Sequence, residues 1–366
     1  MILPTYPHNP YQRLLGAALG ELGLGVSVAG TWPRRSPILG AWWAAGRPDV
    51  VHLHWIHDFL GGSRGRPTRR NVLWFDWQLR LLRARGVRIV WTVHNLRGHE
   101  AGDDRTHGTH DEAAASVPDA RDAQAHRRLI EQAHAVILHC EHARDALVDL
   151  YRPSPAARAR LHVVPHGSYV KQYAVELDPE AARRQLNLPA MGRIIAFVGA
   201  IRTYKSVDQL LDAFLRLPEA GPEDRLLICG KPLPKRLGRE LEAQASGDPR
   251  VILRLDRIPE AELSTVLRAA DLVALPFRDI LTSGSAILAL SHGRPVVAPA
   301  MGCLPETLPP DATILFDPAA PDGLREALRE AFRRDLVAMG ARARTYAEGL
   351  DWGPIAARTA ELYRSG

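Results

Sequence analysis

Short apolar runs alternate with longer amphipathic segments along most of the chain. In the first half, 48–56 (PDVVHLHWI), 87–95 (VRIVWTVHN), 134–140 (HAVILHC) and 160–167 (RLHVVPHG) are almost continuously apolar at their centres, the pattern of buried strands. Between them, 74–86, 122–133 and 141–151 repeat apolar residues three and four apart, and the first of these helices stops at Gly86. The rhythm then starts again. Strands are predicted at 193–201, 224–232, 250–259, 271–277 and 294–300, and helices at 206–217, 260–270 and 282–292. Ser206 is the expected N-cap of 206–217. Strands separated by helices imply a parallel sheet with helices on its faces. The restart implies an α/β chain of two doubly wound domains, divided at 170/171, with 169–193 as the link.

Segment 103–118 is polar and His-rich without periodicity and reads as a loop. A substrate lid and an insertion without function both fit it.

Composition narrows the class. The 366 residues are 46% hydrophobic and 24% charged, enough apolar material for a core in each half. The three Cys show no zinc-site spacing, and so sparse a set fits a reducing cytoplasm. No secretory leader is expected from the N-terminal residues, and no apolar run reaches the ~20 residues of a membrane span. Net charge is +6, which favours anionic partners such as nucleotides or phospholipid surfaces. No nucleic-acid-binding motif accompanies the charge, so nucleic acid is not an expected partner.

In open parallel sheets, ligands bind beyond the carboxyl ends of the strands. That rule marks 52–58, 94–100 and His166 in the first half. In the second it marks Gly199 to Lys205, Gly230, Lys231, Arg257 and Asp279 to Ser285. Two such faces would make an interdomain cleft. Arg202 and Lys205, just after a strand, suit a diphosphate; a solvated basic loop is the plain alternative. Thr282, Ser283, Gly284 and Ser285 open a helix, where free amides and a small-residue backbone admit an anion. Simple N-capping would also explain them.

The segments FVGAIRTYKSVDQLLDAF, LLICGK, DPRVILRLDRIPEAELSTVLRAADLVALPF, LALSHGRPVVAPAMGCLPE and ATILFDP follow in order over about 194–318. Together they resemble glycosyltransferase family 4 and its relatives, which have the GT-B fold of two Rossmann-like domains. PDVVHLHW, TVHNLRGHE and VVPHGSY match more loosely, and YAEGLDW with the helix after it resembles the segment, here 346–366, that crosses back to the first domain. The resemblance implies that Arg202 and Lys205 hold the donor diphosphate and that Gly199 lets the donor approach the backbone. It places Ile258 at the nucleobase and Ser283, Gly284 and Ser285 at the phosphate and sugar. The family usually keeps two Glu here, the later one on the ribose; this chain has Ile280 and Leu288 instead. Asp279, one residue away, and Glu306 are the nearby carboxylates. Retention of configuration is therefore not implied.

Inversion would need a general base in the first domain. The candidates are Asp58, His94, His99 and Glu100, with His166 expected to line the cleft. Seven of the eight Trp lie within the first 91 residues. SRGRPTRRNVLWFDW mixes four Arg with aromatics, which suits an anionic membrane surface or a lipid-pyrophosphate acceptor, or else a solvated loop leading into an amphipathic helix.

The expected activity is transfer of a sugar from a GDP- or UDP-sugar to a hydroxyl of a glycan, glycolipid or small-molecule acceptor. It would occur in the cytoplasm or on the inner membrane face. No metal or other cofactor is expected, because the cations replace it and no Asp-x-Asp motif is present. A nucleotide-sugar epimerase and a non-catalytic scaffold of the same fold are the alternatives.

Overall fold

The computed structural model describes residues 1–6, 9–30, 36–60, 67–97, 120–173 and 177–365. His99, Glu100 and the 103–118 segment lie outside the described residues. The chain forms two units, Met1–Gly167 with Asp351–Gly366, and Ser168–Leu350.

The first unit is built on five parallel strands in spatial order: β1 (Ile2–Leu3), β2 (Val50–Leu53), β3 (Arg88–Thr92), β4 (Ala135–Leu138) and β5 (Leu161–Val163). Outside β1 runs one more extended piece, where Val28 bridges Ile2 and the Ile2 N–H donates to Ser27 O at 2.8 Å. From β1 the chain therefore passes through α1 (Pro10–Glu21) to that outer edge, then returns across β1 to β2. This reversal makes the unit doubly wound, and it sets Pro4–Tyr6 beside His54–Asp58 at the carboxyl ends of β1 and β2. The remaining helices here are α2 (Pro37–Ala44), α3 (His57–Leu60), α4 (Arg69–Ala84), α5 (Ala120–Gln132), α6 (Glu141–Tyr151) and α7 (Pro155–Arg158). In α4 the apolar spacing does what it predicts: Val72, Phe75, Leu79 and Leu82 are fully buried. Gly86, with φ +79°, takes the left-handed turn that ends the chain's helical course.

The second unit holds β6 (Ile194–Val198), β7 (Arg225–Cys229), β8 (Val251–Arg254), β9 (Leu272–Ala274), β10 (Val296–Pro299) and β11 (Thr313–Phe316). Their spatial order is β11-β10-β9-β6-β7-β8, all parallel. The winding reverses between β6 and β9, so that is where the fold opens its crevice. Around the sheet lie α8 (Pro179–Gln185), α9 (Val207–Leu215), α10 (Lys235–Ala245), α11 (Glu260–Ala269), α12 (Gly284–Ser291), α13 (Leu304–Thr307), α14 (Gly323–Arg333) and α15 (Leu336–Gly349).

Two expectations are refined here. The segment read as the link, 169–193, contains α8 (Pro179–Gln185), which belongs to the second unit. Arg183 there donates to Asp271 Oδ2 at 2.6 Å and to Ala269 O at 3.2 Å. Ser206 does occupy the N-cap of α9, but its side chain makes no capping bond. It adopts φ +48°, directly after the 3-10 turn Thr203–Lys205, outside the extended backbone usual for a capping serine.

The last helix, α16 (Trp352–Arg364), belongs to the first unit. Trp352, Ile355 and Ala356 share a core with Tyr11, Leu15 and Leu19 of α1. Gly167 makes room for it, since a Cβ there would stand 2.3 Å from Trp352 Cε2. The Tyr363 hydroxyl lies 2.7 Å from His52 Nδ1.

Candidate functional site

At the reversal point of the second unit, three short elements converge. β6 ends at Val198, and the chain turns through Gly199 with φ +138°. A Cβ on Gly199 would stand 3.2 Å from Lys205 Nζ and 3.8 Å from Ser285 Oγ. Gly230, at the end of β7, is more tightly constrained, because a Cβ there would come within 1.8 Å of Gly199 O. The loops are tied together. The Arg278 N–H donates to Tyr204 O at 2.8 Å, joining the loop after β9 to the turn that carries Lys205. The Cys303 N–H donates to Leu281 O at 2.8 Å, and a Cβ on Gly302 would meet Ile280 O at 2.2 Å. The segment leading to Glu306 thus lies against the 280–281 backbone.

Lys205 sits over two rings, its Nζ 5.9 Å from the Phe197 centroid and 5.8 Å from that of Phe277. The rings attract the cation, but desolvation dominates. Burial, with the neighbouring Arg202 charge, lowers the ammonium to about 8. A half-buried, partly desolvated cation beside a second cation is poised for an anion. Ser283 is committed to capping, its Oγ accepting from Ala286 N–H at 3.1 Å. Ser285, one residue inside α12, is the hydroxyl aimed at Gly199. Lys231 contributes backbone, its carbonyl accepting from Ile201 N–H at 3.0 Å, while its side chain is exposed. Ile258 follows β8, at the far side of β7, and is half-buried; Asp279 and Glu306 are exposed and Thr282 half-buried.

In the first unit, the ends of β2 and β3 shape a small open pocket lined by Trp55, His57, His94, Asn95, Arg97 and Asp122 among others. Behind it lies a buried histidine cluster. His54 Nδ1 is 2.9 Å from His94 Nε2, and Trp55 stacks on His94 with centroids 4.2 Å apart. The Tyr11 ring stands edge-on to His54, His94, His139 and His166. Burial pushes His52 down to about 3, His139 to about 4 and His166 to about 3. It holds His54 and His94 well below the ordinary imidazole value. These rings are neutral packing units. Among the described residues no group of three or more His, Cys, Asp or Glu could hold a metal ion.

His94 reaches this pocket from beneath Trp55, and burial beside His54, His139 and His166 favours its neutral form. His166 belongs to the same cluster. Asp58 is different. It opens α3 with a side chain 29% exposed, and its Oδ2 accepts from the Tyr6 hydroxyl at 2.8 Å.

Comparison with known proteins fits both units. The family described as Glycosyl transferases group 1 matches residues 192–334. The D-inositol 3-phosphate glycosyltransferase of Corynebacterium kroppenstedtii is 32% identical over 249 residues, 65% of this chain and 54% of that protein. Its counterpart in Corynebacterium aurimucosum is 29% identical over 334 residues, 86% of this chain and 71% of that protein. Among solved structures, sucrose-phosphate synthase from Thermosynechococcus elongatus has a TM-score of 0.72 at 21% identity, covering 98% of this chain and 93% of that one. Anabaena HepE in complex with UDP and glucose also has a TM-score of 0.72, at 16% identity, covering 100% and 98%.

The chain belongs among the glycosyltransferases of the GT-B fold.

Within that family, this member spans 54% of the first relative's length and 71% of the second's. At the two positions where the sequence departs from the family pattern, the side chains are half-buried and apolar: Ile280 in the loop against Gly302, and Leu288 in the middle of α12. Sequence reasoning missed Tyr6, because β1 is only two residues long and gave no strand pattern to mark its carboxyl end. It also missed Phe197 and Phe277, which read as ordinary core residues and whose role under Lys205 depends on the sheet order.

Proposed function

We propose that this glycosyltransferase moves a sugar from a UDP- or GDP-sugar to a hydroxyl of a glycan, glycolipid or small-molecule acceptor. The observation that carries the reading is the meeting of Lys205 Nζ, Ser285 Oγ and the Cβ-free Gly199 at the β6/β9 reversal. A partly desolvated ammonium, a hydroxyl and an open backbone suit a diphosphate. HepE, of the same fold, is known with UDP and with UDP-glucose. The second unit is the donor unit, and Arg202, Lys205 and the first amides of α12 supply the positive potential that a metal would otherwise provide. The first unit takes the acceptor, with Asp58 as general base. The acceptor oxygen bonds to the anomeric carbon as Asp58 takes its proton and the carbon–phosphate-oxygen bond breaks. The leaving diphosphate keeps the electron pair and is stabilised by Lys205 and Arg202. This course inverts the anomeric centre, and the reading places the protein in the cytoplasm.

The test is a thermal-shift panel of UDP, GDP and their sugars on the wild-type chain and on Arg202→Ala/Lys205→Ala. Stabilisation by one nucleotide, lost in the double variant, is expected. Equal stabilisation of both proteins would sink the donor assignment. Incubation with the preferred donor alone separates transfer from epimerisation, since an epimerase would convert the sugar without acceptor.

A further inference from the structure

The outward face of α4 is unlike a solvated helix surface. Its inward arc is buried, yet on the other side Leu73, Trp74 and Trp77 are 46%, 39% and 44% exposed. Spacing of three and four residues puts them on one side of the helix, with Leu81 half-buried along the same line. The Trp74 and Trp77 rings stack on one another, centroids 4.6 Å apart and planes 10° from parallel. Helix α2 is held against α4 by Gln78 Oε1, which accepts from the Ile38 and Leu39 N–H groups at 3.1 and 3.3 Å. It adds Trp43, 67% exposed. Every exposed large aromatic side chain among the described residues is on α2 or α4.

The charge on α4 is one-sided as well. Arg69, Arg70, Arg80 and Arg83 are exposed. The helix has a single acid, Asp76, which is buried and bound by Arg80, Arg128 and Gln132. Arg69 and Arg70 occupy the first turn, where no acidic residue accompanies them and the helix dipole disfavours cations. An external anionic surface would reverse that penalty.

We propose that this face of α4, with Trp43 beside it, docks the protein on a bilayer containing anionic lipid. Tryptophan rings favour the boundary between headgroups and acyl chains, and guanidinium groups pair with lipid phosphates. A sugar-stacking platform would use the Trp pair but leave the arginines unexplained. A two-fold contact between copies would bring like charges together. The contact is peripheral, since no helix among the described residues is long and apolar enough to cross a membrane. It is independent of the donor reading.

The test is flotation of the full chain with vesicles of phosphatidylcholine, with and without phosphatidylglycerol, at low and high salt. Binding that requires phosphatidylglycerol and weakens with salt is expected, with a blue shift of tryptophan emission. Arg69→Gln/Arg70→Gln should lower the partition by roughly 25-fold, about fivefold per arginine. Trp74→Ser/Trp77→Ser should abolish the blue shift. All four side chains are exposed, so melting temperatures should match the wild type, which controls for folding. Absence of wild-type binding overturns the proposal, as does binding indifferent to lipid charge or to both variants. A wild-type dimer dissolved by the Trp substitutions, without vesicle binding, also overturns it.

Discussion

The Tyr6 hydroxyl donates to Asp58 Oδ2 at 2.8 Å and lies 3.0 Å from His57 Nε2, joining residues that are 52 positions apart in the chain. The contact exists because β1 and β2 are parallel neighbours whose carboxyl ends lie side by side. It holds a half-exposed carboxylate in one orientation. Asp58→Asn is expected to lower kcat by about 10²–10⁴, the usual loss with a general base, while nucleotide binding is unchanged. Tyr6→Phe should lower kcat several-fold with KM for the donor constant. Steady-state kinetics with a fixed donor would decide, and unaltered turnover in Asp58→Asn would remove Asp58 from the mechanism.

Lys205 is predicted to couple stability to nucleotide binding. Its pKa is about 8 in the fold against 10.5 in the unfolded chain, so between these values the unfolded chain holds more protons. The cost of the buried charge is therefore greatest below pH 8 and fades as pH rises from 8 towards 10.5. Nucleotide affinity should change the opposite way, falling above pH 8 as the ammonium deprotonates. Lys205→Met should raise the melting temperature of the free protein and lose nucleotide binding. Calorimetric titration with UDP or GDP across this range checks the first effect, and thermal scans of the variant check the second.

The histidine cluster predicts acid lability of the first unit. The buried rings of His52, His54, His94 and His139 all titrate below the unfolded value of 6.5. Their contribution is intact above that pH and is lost as pH falls towards 4, because only the unfolded chain takes up the protons. Each adds a slope of about 1.4 kcal/mol per pH unit in that window. All eight Trp lie in the first unit, so tryptophan emission reports it alone. Urea midpoints followed by this emission should fall steeply between neutral and mildly acidic pH. A flat profile would contradict the neutral cluster.

Two glycines make contrasting predictions. Gly230→Ala forces a methyl group into the Gly199 carbonyl and should destabilise the second unit by about 1–3 kcal/mol. Gly199→Ala meets only the mobile tip of Lys205 and the Ser285 hydroxyl, so strain at its positive φ is its main folding cost, and it should reduce donor affinity more than stability. Denaturant melts paired with nucleotide titrations separate the two.

Trp352→Ala should cost about 3–5 kcal/mol in the first unit, although the residue lies at the far end of the chain. Unfolding curves would reveal it as a loss confined to the tryptophan-monitored transition.

Local pattern determined much of this protein. Continuous apolar strands, helical spacing and the restart after the first half specify two parallel α/β sheets, because burial on both faces leaves no alternation to hide them. Polar residues at strand ends marked Gly199, Arg202, Lys205 and Ser285, since the rule that ligands sit there follows from the sheet's connectivity. The tertiary structure alone decided what those residues meet. The reversal between β6 and β9 brings Phe277 beneath Lys205 and sets Ser285 beside Gly199. The pairing of β1 with β2 gives Asp58 its partner Tyr6. The packing around Tyr11 gathers His94, marked by the sequence as a candidate base, and His166, marked as cleft lining, with His54 and His139 into one neutral cluster. These are contacts between residues tens of positions apart, and burial, which sets their charge, is a property of the packed surroundings.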